Sequence, residues 1–151
     1  FNPVAGQSDP DQDLAQIRAL LEPAIDLDVR LTTEEVGADE LARSAIAEGV
    51  DTILASGGDG TLSAAATALV GKTIPLGIIS RGTANAFANA LNIPDTIAGA
   101  CETILAGSTR MVDAAYCNGR PMVLLAGIGF EAEAVERADR EAKNRFGMLA
   151  Y

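Results

Sequence analysis

The chain has 151 residues, 48% of them apolar, with 11 basic against 21 acidic side chains and a formal charge of -10. It is long and apolar enough for one full-sized core plus part of a second unit, and its net charge repels nucleic acid and anionic membrane surfaces, so a bound phosphate must be held locally. With no histidine and only two cysteines, Cys101 and Cys117, without metal-ligand spacing, His-based triads and most zinc sites are excluded and a reducing cytoplasm fits best.

Phe1-Asn2-Pro3 reads as the end of a strand whose earlier residues are missing, followed by the turn Asn2-Pro3-Val4-Ala5-Gly6. Leu14, Ile17, Leu20 and Leu21 recur at helical spacing and predict a helix from Asp13 to Ala24. Strict alternation over Leu27-Asp28-Val29-Arg30-Leu31 then predicts a strand. Ala38, Leu41, Ala42, Ala45 and Ile46 form a second helical stripe that ends near Gly49, and Thr52-Ile53-Leu54-Ala55 reads as a buried strand. A helix from about Thr61 to Val70, a strand over Pro75-Leu76-Gly77-Ile78-Ile79 and a helix from about Ala84 to Leu91 continue the alternation. Such alternation implies parallel strands joined by right-handed crossovers, with ligands at the strands' carboxyl ends.

After Gly107 the pattern changes. Arg110 to Tyr116 and Pro121 to Leu125 read as adjacent strands linked by a turn at Asn118-Gly119, which places a domain boundary near Ser108. The expected organisation is a nucleotide-binding α/β domain over residues 1–108, its first strand truncated, and the incomplete beginning of a β-rich domain over 109–151. No apolar run reaches the roughly 18 residues needed to span a bilayer.

Ser56-Gly57-Gly58-Asp59-Gly60-Thr61 follows a buried strand and opens a helix, so its backbone N–H groups can converge on an anion. Its glycines permit unusual dihedrals or close phosphate approach, Asp59 can hold a magnesium-bound water and Thr61 can donate a hydroxyl. A tight strand-to-helix turn with a capping aspartate is the structural alternative. Arg81-Gly82-Thr83-Ala84-Asn85 repeats the arrangement one strand later, and two such loops at successive strand ends would face one crevice. Gly71-Lys72-Thr73 resembles the end of a P-loop, but Ala66 stands where the first glycine belongs. Gly127-Ile128-Gly129-Phe130-Glu131-Ala132 matches a dinucleotide fingerprint without a complete βαβ unit, so a close-packing turn is preferred. Arg137, Arg140, Lys143 and Arg145 are read as a solvated helix face balanced by nearby glutamates.

The ordered series Asn2-Pro3-x-x-Gly6, Gly57-Gly58-Asp59-Gly60-Thr61, Gly82-Thr83-Ala84-Asn85-x-Phe87-Ala88, Val112-Asp113, Gly127-x-Gly129-Phe130 and Gly147-x-Leu149-Ala150-Tyr151 resembles the diacylglycerol kinase catalytic-domain family. The first glycine motif alone is shared with NAD kinases, and the second separates the two. The resemblance implies a phosphofructokinase- and NAD-kinase-like three-layer α/β domain, then a β-sandwich domain, with ATP between them and a lipid hydroxyl as acceptor. It implies that Gly57, Gly58, Gly60 and Thr61 cradle phosphates, that Gly82, Thr83 and Asn85 complete the nucleotide site, and that Asn2 and Gly6 border it. Asp59 and Asp113 would join a network of magnesium and water, and the general base would lie beyond Tyr151, leaving this chain expected to bind nucleotide but to transfer phosphate poorly or not at all.

The chain departs from the family pattern at Ala86, where aspartate is usual, at Gln7, where many relatives have a basic residue, and at Ser80-Arg81 before Gly82. Arg81 is therefore a candidate bidentate phosphate donor. The expected activity is ATP- and Mg2+-dependent phosphorylation of a lipid at the membrane surface by a cytoplasmic, peripheral protein, with no nucleic-acid partner and a homodimer left open. An NAD kinase and a non-catalytic nucleotide-binding regulatory module are the alternatives.

Overall fold

The computed structural model describes residues 1–124 together with Gly129 and Glu133. The remainder of the 127–132 motif, the basic run at Arg137, Arg140, Lys143 and Arg145, and the terminal Gly147-x-Leu149-Ala150-Tyr151 match lie outside the described residues.

Helix α1 spans Pro10–Leu21. It starts earlier than the apolar spacing suggests because Asp9 accepts from the Asp11 and Gln12 amides and Pro10 pre-sets the first helical φ. Its buried stripe is Asp13, Ile17 and Leu21, which turns an aspartate inward and leaves Leu20 36% exposed. Residues 27–31, expected as a strand, form no ladder. Their backbone pairing is with Phe1, whose nitrogen donates to the Arg30 carbonyl at 2.8 Å and whose carbonyl accepts from Thr32 N at 3.0 Å. Residues 27–30 and 52–56 line a common cavity of about 720 Å3.

Helix α2 spans Ala38–Glu48 and ends on Gly49 in the left-handed region at φ 89°. Strands β1 (Ile53–Gly57) and β2 (Leu76–Ser80) pair in parallel, from Ile53 opposite Leu76 to Gly57 opposite Ser80. Between them runs α3 (Asp59–Leu69). The five-residue α4 (Ala86–Ala90) is shorter than the predicted helix, because Asn85 leaves the helical region with φ 49° and ψ 37°. Helix α5 (Ile97–Leu105) was not anticipated, although Ile97, Ala100, Cys101 and Ile104 have helical spacing and the Thr96 hydroxyl accepts from Gly99 N at 3.2 Å.

Successive residues of β1 and β2 face opposite sides, and helices cover both. Ala55 and Ile78 pack with Leu62, Ala65, Ala66, Phe87 and Ala88 beneath α3 and α4. Leu54 and Ile79 pack with Ile17, Leu21, Ala100 and Cys101 beneath α1 and α5. Leu21, Leu62 and Ile79 are sealed from solvent, each contributing about 1.5–3 kcal/mol by burial. Parallel strands need this two-sided cover, because both faces of their apolar runs must leave water.

Beyond α5, strands β3 (Ala115–Cys117) and β4 (Arg120–Met122) pair antiparallel, shorter than expected. Asn118 and Gly119 connect them with φ 50° and 77°, the positive pair that suits a tight hairpin. Residues 108–114 are exposed and irregular, whereas Val123 and Leu124 pack against the α3–α4 core. None of the described helices is long and apolar enough to cross a membrane.

Candidate functional site

Because β1 and β2 are parallel and level, the loops that follow them emerge side by side. Arg81 N donates to the Gly57 carbonyl at 2.8 Å, extending the ladder by one rung. The loops then meet backbone to backbone: a Cβ on Gly82 would lie 2.7 Å from Gly58 Cα. The Asn85 side chain accepts from Gly82 N at 2.8 Å, and Asp59 Oδ1 accepts from Phe87 N at 3.0 Å, so each loop is tied by a short polar side chain. Asp59 thereby caps α4 as well as opening α3, and among the described residues its second oxygen takes no hydrogen bond.

The turn at Asn2 closes the third side. Asn2 N donates to the Ser56 carbonyl at 2.9 Å, and Asn2 Nδ2 donates to Thr61 Oγ1 at 2.8 Å. Gly6, at φ 85°, brings its Cα against the Arg81 carbonyl, where a Cβ would come within 2.5 Å. Asn2, Gly6, Gly57, Gly58, Asp59, Thr61, Gly82 and Asn85 are thus joined in one network, and Thr83 sits exposed at its rim.

The glycines of the first loop divide into two kinds. A Cβ on Gly57 would strike the Thr61 side chain at 2.7 Å and one on Gly58 would touch Gly82 at 3.4 Å, whereas one on Gly60 would meet nothing within 4 Å among the described residues. Gly60 is also in the ordinary φ range, so neither packing nor backbone conformation of the protein itself requires glycine there. Among the described residues no side chain caps the start of α3, the positive end of its dipole, and Gly58, Gly60 and Thr61 there line a cleft of about 710 Å3. That cleft is lined by Asn2, Gly58, Gly60 and Thr61, and also by Thr32, Thr33 and Glu34, which sequence reasoning missed. Thr33 Oγ1 accepts from Glu35 N and Val36 N, a local turn with no chemical signature in the sequence.

Arg81 is placed differently from the expected phosphate donor. Its side chain is 2% exposed, and Nε donates to Asp13 Oδ2 at 2.7 Å while Nη1 donates to the Asn2 carbonyl at 2.9 Å. The guanidinium stacks over the Phe1 ring at 4.4 Å, and the buried Nη2 has no partner among the described residues. With Nε and Nη1 engaged by the protein, Arg81 is a strut beneath the loops. The expected second carboxylate, Asp113, is exposed on the irregular 108–114 segment. Among the described residues, no three acidic or cysteine side chains cluster as a metal site.

The arrangement fits a phosphate, through uncapped amides, an open Gly60 and a hydroxyl. It also fits Mg2+ held in the usual way, by one or two carboxylates with phosphate oxygens and water, since Asp59 keeps an unshared oxygen.

Residues 1–117 match the diacylglycerol kinase catalytic domain. An uncharacterized protein of Synechocystis is 51% identical across the whole chain, which covers 37% of that protein. A diacylglycerol kinase of Bacillus subtilis is 33% identical, again across the whole chain and 51% of the relative. The crystal structure of a diacylglycerol kinase from Bacillus anthracis superposes with a TM-score of 0.78 and 34% identity, over 92% of this chain and 49% of that one. The chain therefore spans about half or less of the length of these relatives. By matched domain, sequence and structure alike, this chain belongs to the diacylglycerol kinase catalytic-domain family.

Proposed function

We propose that the chain is the nucleotide-binding part of an ATP-dependent lipid kinase that transfers the terminal phosphoryl group of Mg-ATP to the hydroxyl of diacylglycerol or a related lipid. The observation that carries this reading is Gly60 beside the uncapped start of α3: a glycine that the fold itself does not need, in a cleft floored by backbone donors.

In this reading residues 1–108 form the phosphofructokinase- and NAD-kinase-like three-layer domain, and 109–151 begin a β-sandwich. The α3 amides and the Thr61 hydroxyl hold phosphate oxygens, and the absence of a Cβ on Gly60 lets them approach. Gly82, Thr83 and Asn85 set the second wall, while Asn2 and Gly6 fix the third. When bound, Mg2+ would neutralise developing charge on the transferred group. Asp59 is the carboxylate nearest to hand for the ion's water shell, with Asp113 as the second candidate. Charge neutralisation and positioning are the requirements these residues meet; a base for the acceptor hydroxyl is expected beyond Tyr151. The lipid is reached from the membrane surface by a cytoplasmic, peripheral protein.

The test is phosphoryl transfer by the intact protein from radiolabelled Mg-ATP to diacylglycerol, sphingosine, ceramide and NAD, with Asp59→Ala as control. The expected result is a labelled lipid that disappears in the control. Label in NAD alone, or ATP binding without any transfer, would sink the lipid-kinase reading.

A further inference from the structure

We propose that the buried Asp13–Arg81 ion pair is a positioning device for the phosphate loop, acting through Asn2 to orient the Thr61 hydroxyl. This rests on the nucleotide reading above and deepens it.

Asp13 occupies the inward stripe of α1 with Ile17 and Leu21, where a carboxylate is costly unless paired. It is paired twice, by Arg81 Nε at 2.7 Å and by the Ser8 hydroxyl, both on Oδ2. The Arg81 and Asp13 side chains are 2% and 12% exposed. Burying such a pair is a weak source of stability, since apolar side chains of similar volume often do as well or better. Its geometric effect is more specific.

The same guanidinium donates through Nη1 to the Asn2 carbonyl, which also accepts from Ala5 N at 3.2 Å. Asn2 is then held at every polar group: its N–H by Ser56 O, its Oδ1 by Val4 N at 3.1 Å, and its Nδ2 by Thr61 Oγ1 at 2.8 Å. A hydroxyl oxygen that accepts a fixed hydrogen bond keeps its own proton for another acceptor. Thr61 lines the cleft with Gly58 and Gly60, so its proton is left for a ligand oxygen there. Removing the Asp13 charge leaves a buried guanidinium without its counter-ion. It must then seek other acceptors, and the Asn2 carbonyl loses its hold. Lysine at position 81 is a single-point donor and cannot span the carboxylate and the carbonyl together.

Dissociation constants for ATP, measured by calorimetry on the full chain, test this with Asp13→Asn, Arg81→Lys, Thr61→Val and the double variant Asp13→Asn/Thr61→Val. Each of the first two is expected to weaken ATP binding about ten-fold. In the Thr61→Val background, Asp13→Asn is expected to add no further loss, because its effect runs through the hydroxyl. Losses that multiply in the double variant would show a general structural role and overturn the proposal, as would wild-type affinity in both single variants. If Asp13→Asn does not fold, Arg81→Lys in the two Thr61 backgrounds decides the matter by the same criterion. A wild-type chain that binds no ATP overturns the nucleotide reading and this proposal with it. A wild-type chain that binds ATP, with both single variants unimpaired, overturns the positioning role alone.

Discussion

Helices α3 and α5 pack on opposite faces of the same two strands and begin in opposite ways. At α5 the Thr96 hydroxyl accepts from Gly99 N, so the helix satisfies its own first turn. At α3 the residue in the same position is Gly58, with no side chain to offer, and the next residues are Asp59, Gly60 and Thr61. One helix closes its end with its own side chain, and the other starts without one, as α2 does on Gly37. The difference teaches what makes a helix start a candidate ligand site: a missing cap counts only together with a glycine such as Gly60, whose absent Cβ no described residue demands.

The largest effect is expected where the two loops touch. Gly82→Ala places a methyl group 2.7 Å from Gly58 Cα, a backbone atom that cannot swing aside. Overpacking of this kind costs about 1–3 kcal/mol, and thermal unfolding should show it together with loss of ATP binding. Unchanged stability and affinity would mean that the loops are not locked together.

Gly60→Ala should split the two readouts. The added methyl meets no atom of the described residues, and alanine is the better helix former, so stability should rise by up to about 0.5 kcal/mol. ATP affinity should nevertheless fall about ten-fold, and a variant that gains stability without losing affinity would remove the main support for a phosphate at α3. Thr96→Ala should do the reverse, costing about 1 kcal/mol in unfolding free energy while ATP titration stays unchanged.

The smallest effect belongs to the exposed Arg30–Glu48 pair. Hydrogen bonding from Arg30, more than charge alone, holds the Glu48 carboxyl below its ordinary range. A carboxyl lowered in the fold adds stability above its unfolded pKa and loses it as pH falls through the folded value. Glu48→Gln should therefore differ slightly from wild type in melting temperature at neutral pH and converge with it in acid, with added salt narrowing the gap. A difference that widens in acid would contradict the assignment.

Much of the fold was legible because its signals are local. The run Thr52-Ile53-Leu54-Ala55 followed by Gly57-Gly58-Asp59-Gly60-Thr61 names a strand, a turn and a helix start within ten residues. Gly82 and Asn85 do the same for the second loop. What the sequence hid depends on distant partners. Asp13 looks like a surface residue in the first turn of a helix until Arg81 is placed beside it, and Arg81 looks like a ligand donor until its Nε is found on Asp13 and its Nη1 on the Asn2 carbonyl. Leu27–Leu31 alternates as a strand should, but alternation does not supply a neighbour to pair with. Helix α5 is a different case. Thr96 and the Ile97, Ala100, Cys101, Ile104 stripe were readable, but alanines, Gly99 and a cysteine give that stripe little contrast.

The contact of Gly58 with Gly82 also matters for inheritance. Any side chain gained at Gly82 must displace the backbone at Gly58, so a substitution at one position changes which substitutions the other can survive. The two codons are far apart, yet selection sees them as a single target, and a mutational scan should report their tolerances as one shared quantity.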